Sequence, residues 1–328
     1  MISKLEKGAR RVDAVELTEL ARVLDCPVSH LLSPVPEVIS RRAAVAESDD
    51  VGGSETERGA YRTETQLSEW LRDVGQLTAA GVLHPKQTLR YPWQVTGVVE
   101  ARGAARWLRV ELDLAEEPID SVAEVCERAG QLTTVVPLAS DGASVVDGEI
   151  AVAVVNVKQA PGRRRSTAAH ELAHMVLGDE FSSDVGVHAA RDQREQVMEA
   201  FAAELLLPAE ITRRVAEIRG EEAVRQELVR VSATYRVSWS LAVSQLRLSE
   251  MLDADSAHRL RVRTPTDVEF KDALGWKPQP DLASVRVPPG FAAAVVVALR
   301  EDLITPTRAV EMMRGQVSVE ELTEEAAG

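Results

Sequence analysis

The feature that most constrains the fold is the segment HELAH at residues 170–174, where two histidines flank three residues that begin with a glutamate. Residues 167–177 around it contain no proline and are mostly good helix formers, so they predict a helix. Because residues four apart lie on one helix face, His170 and His174 can offer both imidazoles to one metal ion. Glu171 lies beside them and is the predicted general base.

The motif is informative because histidine is rare in this chain, with 6 in 328 residues. At that frequency HExxH would arise by chance about 0.01 times per chain. The plainer alternative is a pair of histidines on a solvated helix face, and the helical context favours the metal site over it.

A catalytic zinc ion needs a third protein ligand, and a later segment supplies carboxylates for it. RDQREQVMEAFAAELLLP predicts a helix over residues 192–207 that stops at Pro208, with Glu195 and Glu199 one turn apart on a shared face. This geometry favours Glu195 as the third ligand and Glu199 as a carboxylate that accepts a hydrogen bond from a ligating imidazole. Glu199 is the competitor for the ligand role.

The spacing after the second histidine separates two classes of HExxH site. Metzincins have a glycine three residues after it and a third histidine three residues further on, whereas this chain has Leu177 and Glu180 there. A glutamate ligand on a later helix is the gluzincin arrangement. The sequence therefore predicts a Zn²⁺ site of the gluzincin type.

The remaining pattern predicts an α+β fold, mainly helical and zincin-like with a small β-sheet. Helical periodicity occurs over 65–81, 101–114 and 121–130, and strands rich in β-branched residues are predicted over 132–138 and 149–157. Two Asp-Gly pairs between these strands indicate a hairpin turn. The second strand precedes the metal helix and is predicted to offer an edge to an extended peptide.

The composition indicates where the protein acts and which partners it avoids. No apolar stretch approaches the roughly 20 residues of a membrane span, and the N-terminus lacks the apolar core of a signal peptide, so we predict a cytoplasmic protein. A net charge of −14 opposes general binding to nucleic acid. Cys26 and Cys126 are predicted to be buried free thiols.

The chain divides into four predicted regions. Residues 1–36 contain short amphipathic helices, and 37–64 are a predicted linker because AVAESDDVGGSETERGA is small, polar and acidic. Residues 65–252 are the predicted zinc metallopeptidase domain, and 253–328 are a C-terminal helical region.

Two segments resemble known families. AVVNVKQAPGRRRSTAAHELAHMVLGDE followed by EQVMEAFAAELLLP resembles the ImmA/IrrE metallopeptidases, whose pattern is HELxH and then ExxANxFAAELLMP. The family's ligands fall on His170, His174 and Glu195 and its catalytic glutamate on Glu171, while Met198 and Glu199 depart from its Ala-Asn. Residues 1–36 resemble the second half of a phage-repressor-type helix-turn-helix domain, so DNA binding is doubtful without the first half.

The resemblance implies a substrate that the residues themselves do not show. It would be a helix-turn-helix repressor or antitoxin, which a zinc-dependent endopeptidase cleaves to derepress transcription, including that of stress genes. The competing hypothesis is a non-catalytic zinc-binding regulator or scaffold. Such enzymes also use a donor for the oxyanion, and His188 and Tyr235 are both candidates.

Overall fold

The computed structural model describes residues 10–24, 28–32, 40–42, 53–178, 188–249, 252–276 and 279–322. Helices dominate this part of the chain, and a small sheet lies among them. In chain order the elements are α1 (Ala14–Leu24), α2 (Val28–Leu32), β1 (Ser40–Arg42), α3 (Gly53–Ala79), α4 (Val98–Glu111), α5 (Val122–Arg128), β2 (Gln131–Val136), β3 (Gly142–Asp147), β4 (Ile150–Asn156), α6 (Pro161–Leu177), α7 (His188–Leu206), α8 (Ala209–Ala216), α9 (Glu221–Thr234), α10 (Trp239–Arg247), α11 (Ala254–Val262), α12 (Asp267–Leu274), α13 (Pro289–Arg300) and α14 (Pro306–Met312).

The sheet has four strands in the order β1-β3-β4-β2. β4 pairs in parallel with β2 and antiparallel with β3, and β1 pairs antiparallel with the outer edge of β3. The chain from β3 to β4 turns through Gly148, which has a φ of 57° and lies beyond the Asp147–Ile150 pair. Mainly helical structure with a small sheet is the α+β class that the sequence predicts.

The predicted hairpin is wrong in its detail, because the segment between the two expected strands itself contains β3. The two expected strands, β2 and β4, are parallel neighbours, and the antiparallel hairpin joins β3 to β4. Only the second Asp-Gly pair lies at a turn. Gly142 of the first pair begins β3, where its backbone packs closely against α6.

Both faces of the sheet are covered by helices, so the central strand β4 has a nearly continuous apolar sequence. One face carries Val152 and Val154 and packs against α3 and α13, with Trp70 and Phe291 in contact there. The other face carries Ala151 and packs against α6, behind which α4 and α7 lie. Because successive side chains of β4 point to opposite faces, the face with Ala151 is the one on which α6 and its HExxH motif pack.

Several predicted helices are observed with shifted ends. The helix predicted from Thr65 begins at Gly53, and β1 also lies within the predicted linker 37–64. The division of the chain into four regions stays a prediction. Within residues 1–36 the structure describes residues 10–24 and 28–32, which contain the helices α1 and α2.

The structure also bears on the predictions about membrane spans and about the two cysteines. Within the described ranges no helix combines the length and apolarity needed to cross a bilayer. Cys126 is buried, and this burial raises the pKa of its thiol to about 12. Cys26 lies outside the described residues.

An ion pair inside the protein anchors the start of α6. Arg165 is fully buried, and its Nη1 donates to Asp281 at 2.6 Å while its Nη2 donates to the Ile119 carbonyl at 2.7 Å. Burial lowers the pKa of Arg165, which Asp281 opposes by stabilising the charge. Asp281 also accepts from the backbone N–H of Val122 at 3.0 Å.

Removing Asp281 is expected to destabilise the fold strongly. Asp281→Ala leaves the buried guanidinium of Arg165 without its carboxylate, and breaking a buried pair in this way costs about 3–5 kcal/mol of unfolding free energy. Urea denaturation followed by circular dichroism measures the loss, with the exposed Asp272→Ala as the control. A loss below about 1 kcal/mol would show that the pair does not anchor α6.

Candidate metal centre

Helix α6 carries the HExxH motif and has signals for its beginning and its end. Pro161 occupies the first turn, where its missing N–H costs no helical hydrogen bond, and Gly178 caps the end in the left-handed region with a φ of 65°. The motif residues lie inside the protein: His170 and Glu171 are fully buried and His174 is 4% exposed. This burial contradicts the alternative of two histidines on a solvated helix face.

The predicted ligands come together between α6 and α7. His170 Nε2 lies 3.2 Å from His174 Nε2 and 3.2 Å from Glu195 Oε2. One ligand atom from each of these residues lies within 4.8 Å of the others. The three residues therefore form a group that could hold a metal ion. Glu195 comes from α7, which packs on α6, so two helices supply the three donors.

The donor set fits a zinc ion. Two ligands at ~2.0–2.1 Å from a tetrahedral zinc are roughly 3.3 Å apart, close to the separations found here. Two imidazoles and one carboxylate leave one coordination position for a reactant, as in catalytic sites. The Glu195 side chain is 39% exposed, so the centre is reached from solvent on this side.

Glu171 is held by the sheet on which α6 packs. Ser144 Oγ donates to Glu171 Oε2 at 2.7 Å, and Gln131 Nε2 donates to the Glu171 backbone carbonyl at 3.0 Å. Glu171 Oε1 is buried and has no hydrogen-bond partner within the described ranges. The carboxylate therefore has one oxygen fixed by a donor and one oxygen without a hydrogen bond in the described part of the chain.

The strand β3 contributes residues that the sequence analysis did not single out. Ser144 and Gly142 are two apart, so strand alternation places both on the side of α6. A Cβ added at Gly142 would lie 2.6 Å from Thr167 Cγ2 and 3.5 Å from Glu171 Oε1. Period-2 spacing from Gly142 could have indicated Ser144, but only after β3 was recognised as a strand.

Glu199 lies one turn beyond Glu195, and its side chain is exposed. It lines a cleft of about 610 Å³ together with Arg163 and Ser166 of α6 and Ser240 of α10. His170 Nδ1 is buried without a hydrogen-bond partner in the part of the chain that the structure describes, so Glu199 does not accept from that nitrogen. None of the three candidate metal ligands lines this cleft.

Of the two candidate oxyanion donors, Tyr235 and His188, the structure describes the side chain of Tyr235 only. The Tyr235 hydroxyl donates to the Glu116 carbonyl at 2.7 Å, and the residue lines a pocket with Pro118 and Val231 that none of the metal ligands lines. Burial also raises the pKa of Tyr235. The structure therefore does not bring Tyr235 to the site. The side chain of His188 lies outside the described residues.

Comparison with known proteins supports the resemblance over part of the chain. No curated protein matches this chain. Among protein families, the model described as the IrrE N-terminal-like domain, Peptidase_M78, matches residues 126–247. The matched segment contains α6, α7, Glu171 and the three residues that could hold a metal. Residues 126–247 are thus similar to the IrrE N-terminal-like domain, which supports the ImmA/IrrE family and suggests a metallopeptidase.

Proposed function

We propose that this protein is a zinc-dependent endopeptidase of the gluzincin type, in which His170, His174 and Glu195 hold the metal and Glu171 is the general base. The observation that supports this most directly is the convergence of three ligand atoms within 4.8 Å, beside the buried carboxylate of Glu171 on α6. The family match over residues 126–247 agrees with a metallopeptidase.

The proposed roles follow from the contacts of each side chain. Zinc bound at this centre would supply Lewis-acid chemistry to the scissile carbonyl and to a water molecule. Glu171 Oε1, which has no donor within the described ranges, takes the proton of the attacking water and returns it to the leaving amine. Ser144 keeps the other oxygen in place through its 2.7 Å hydrogen bond.

Removing the Ser144 hydroxyl is expected to slow hydrolysis without removing the metal. Ser144→Ala deletes a hydrogen bond to a charged carboxylate, worth about 1.5–3 kcal/mol, so kcat is expected to fall by about 10-fold to 100-fold with little change in KM. Ser232→Ala is the matched control, since Ser232 is also a buried serine but donates to Val229 of its own helix. An unchanged kcat would exclude a role for Ser144 in holding Glu171.

The substrate we propose is a helix-turn-helix repressor or antitoxin, whose cleavage would derepress transcription. The support is the ImmA/IrrE resemblance of the metal segment, together with the repressor-like pattern of residues 1–36. A transcriptional substrate of this kind would place the protein in the cytoplasm. DNA binding by residues 1–36 is not part of the proposal.

The function is tested by incubating the full chain, loaded with one equivalent of zinc, with purified helix-turn-helix proteins encoded by the same genome. Intact-mass spectrometry is expected to reveal one substrate cut at a single internal bond. Cleavage should stop with a chelator and return with added zinc. A metal-loaded, folded protein that cuts neither these proteins nor unfolded casein would contradict the peptidase proposal and favour the non-catalytic regulator.

A further inference from the structure

The strand β1 occupies the outer edge of β3. Ser40 pairs with Ser144, Arg41 with Ala143 and Arg42 with Gly142, in antiparallel register. Cα atoms of β1 also come within 8 Å of α6, so this short strand lies beside the helix that carries the HExxH motif. A segment more than a hundred residues earlier in the sequence therefore lies next to the candidate metal centre.

The part of β3 that β1 covers is the part that holds the general base. Ser144 donates to Glu171 Oε2, and the backbone at Gly142 is so close to α6 that a Cβ there would lie 3.5 Å from Glu171 Oε1. The covered residues 142–144 therefore span the carboxylate. A peptide strand paired with these residues would therefore lie beside Glu171.

This edge suits an extended peptide better than the edge predicted from the sequence. β4 is a central strand with partners on both sides, so the prediction that it offers an edge to substrate is wrong. The outer side of β2 is bridged at Val135 by Arg286, through hydrogen bonds of 2.9 and 3.1 Å. Main-chain pairing needs unpaired N–H and C=O groups, and beside Glu171 the outer edge of β3 would offer them once β1 leaves.

We propose that Ser40–Arg42 is an internal competitor of the substrate for the outer edge of β3 at residues 142–144, so that β1 must leave this edge before a peptide pairs there. The inference rests on the proposed endopeptidase function and concerns the regulation of its substrate-binding edge. Only three residues pair on each side, so a substrate strand has few hydrogen bonds to replace.

Adjacent proline substitutions in the full chain separate backbone pairing from other effects. Along an antiparallel edge strand, the N–H groups of successive residues point alternately toward and away from the partner. Of Ser40→Pro and Arg41→Pro, one therefore removes a donor that faces β3, and the other is its matched control. Arg41→Ala retains the N–H and controls for loss of the side chain.

Two measurements are made on each zinc-loaded protein. The first is the rate of trypsin cleavage after Arg42, located by mass spectrometry, which reports whether β1 has left the edge. The second is the hydrolysis of fluorescein-labelled casein, an unfolded protein that supplies extended segments. In the proline variant that removes the facing donor, we expect cleavage after Arg42 and kcat/KM for casein to rise by about fivefold each, the factor for one lost hydrogen bond. The gain in kcat/KM is expected to come from a lower KM.

A binding measurement keeps the inference separate from the peptidase proposal. A synthetic peptide of residues 37–46 carrying a fluorophore should bind the opened variant more tightly than the wild type, as measured by fluorescence anisotropy. Faster trypsin cleavage with unchanged casein hydrolysis and no gain in peptide binding would overturn the inference while the peptidase function stands. Tighter peptide binding by a protein that hydrolyses no casein would support the shared edge and count against the peptidase function alone.

Discussion

Glu171→Gln is expected to reduce peptide hydrolysis by about a thousandfold, within the 10²–10⁴ range for loss of a general base. Glutamine has the size of glutamate and can still accept the hydrogen bond from Ser144, but it cannot take a proton from water. The rate is measured on the substrate found by mass spectrometry, or on labelled casein. Zinc content, measured by elemental analysis, is expected to stay at the wild-type value.

The control for this variant is Glu124→Gln, an equivalent change at an exposed glutamate of α5. It should leave hydrolysis and zinc content unchanged. If Glu171→Gln retained full biological activity while binding zinc, the chemistry of Glu171 would be dispensable, and the non-catalytic regulator would become the better proposal. Loss of zinc together with activity would instead assign Glu171 a structural role at the centre.

His170→Ala is expected to lower zinc affinity by at least about a hundredfold, because loss of a residue that merely supports a ligand already costs 10-fold to 100-fold. His170 Nε2 lies 3.2 Å from the ligand atoms of both other residues, so its loss leaves only two donors. Competition with a coloured chelator measures the affinity in solution. His84→Ala, at an exposed histidine, is the control and should bind zinc like the wild type.

The same titration decides between the two carboxylates that the sequence left open. Glu195→Ala should weaken zinc binding as His170→Ala does, since Glu195 Oε2 faces the imidazoles. Glu199→Ala should retain zinc, because its exposed side chain lines a cleft that none of the three candidate ligands lines. The reverse result would move the third ligand to Glu199. Equal zinc binding by all variants and the wild type would exclude a metal centre at these residues.

Much of the candidate site could be predicted because its signals are local. Imidazoles four residues apart share a helix face, and the prolines and glycines that begin and end α6 also lie within the same short segment. The choice of Glu195 used the same logic on α7, where one turn separates it from Glu199. Helical spacing therefore carried the prediction of both helices and of all three donors.

The strands were predicted less well, for a physical reason. β2, β3 and β4 are buried on both faces, and in such strands apolar periodicity identifies neither the partner nor the direction of pairing. The Asp141-Gly142 pair has the composition of a turn, yet Gly142 is needed for the close approach of β3 to Thr167 of α6. A turn and a close backbone contact both favour glycine, so the residue type alone does not tell which of the two is present. The packing of Gly142 against α6 shows that the close contact is the reason here.

By itself the sequence predicted the mainly helical α+β class, the helices α6 and α7 and the three side chains of the candidate metal site, since helical periodicity and side-chain spacing along each helix are local patterns. Only the tertiary structure decided that Ser144 holds Glu171, that Tyr235 is bound elsewhere, and that β1 covers the edge of β3. These contacts join residues separated by 27 to 119 positions or arise from strand order. Side-chain spacing along a chain contains no information about which distant backbone comes to lie beside it.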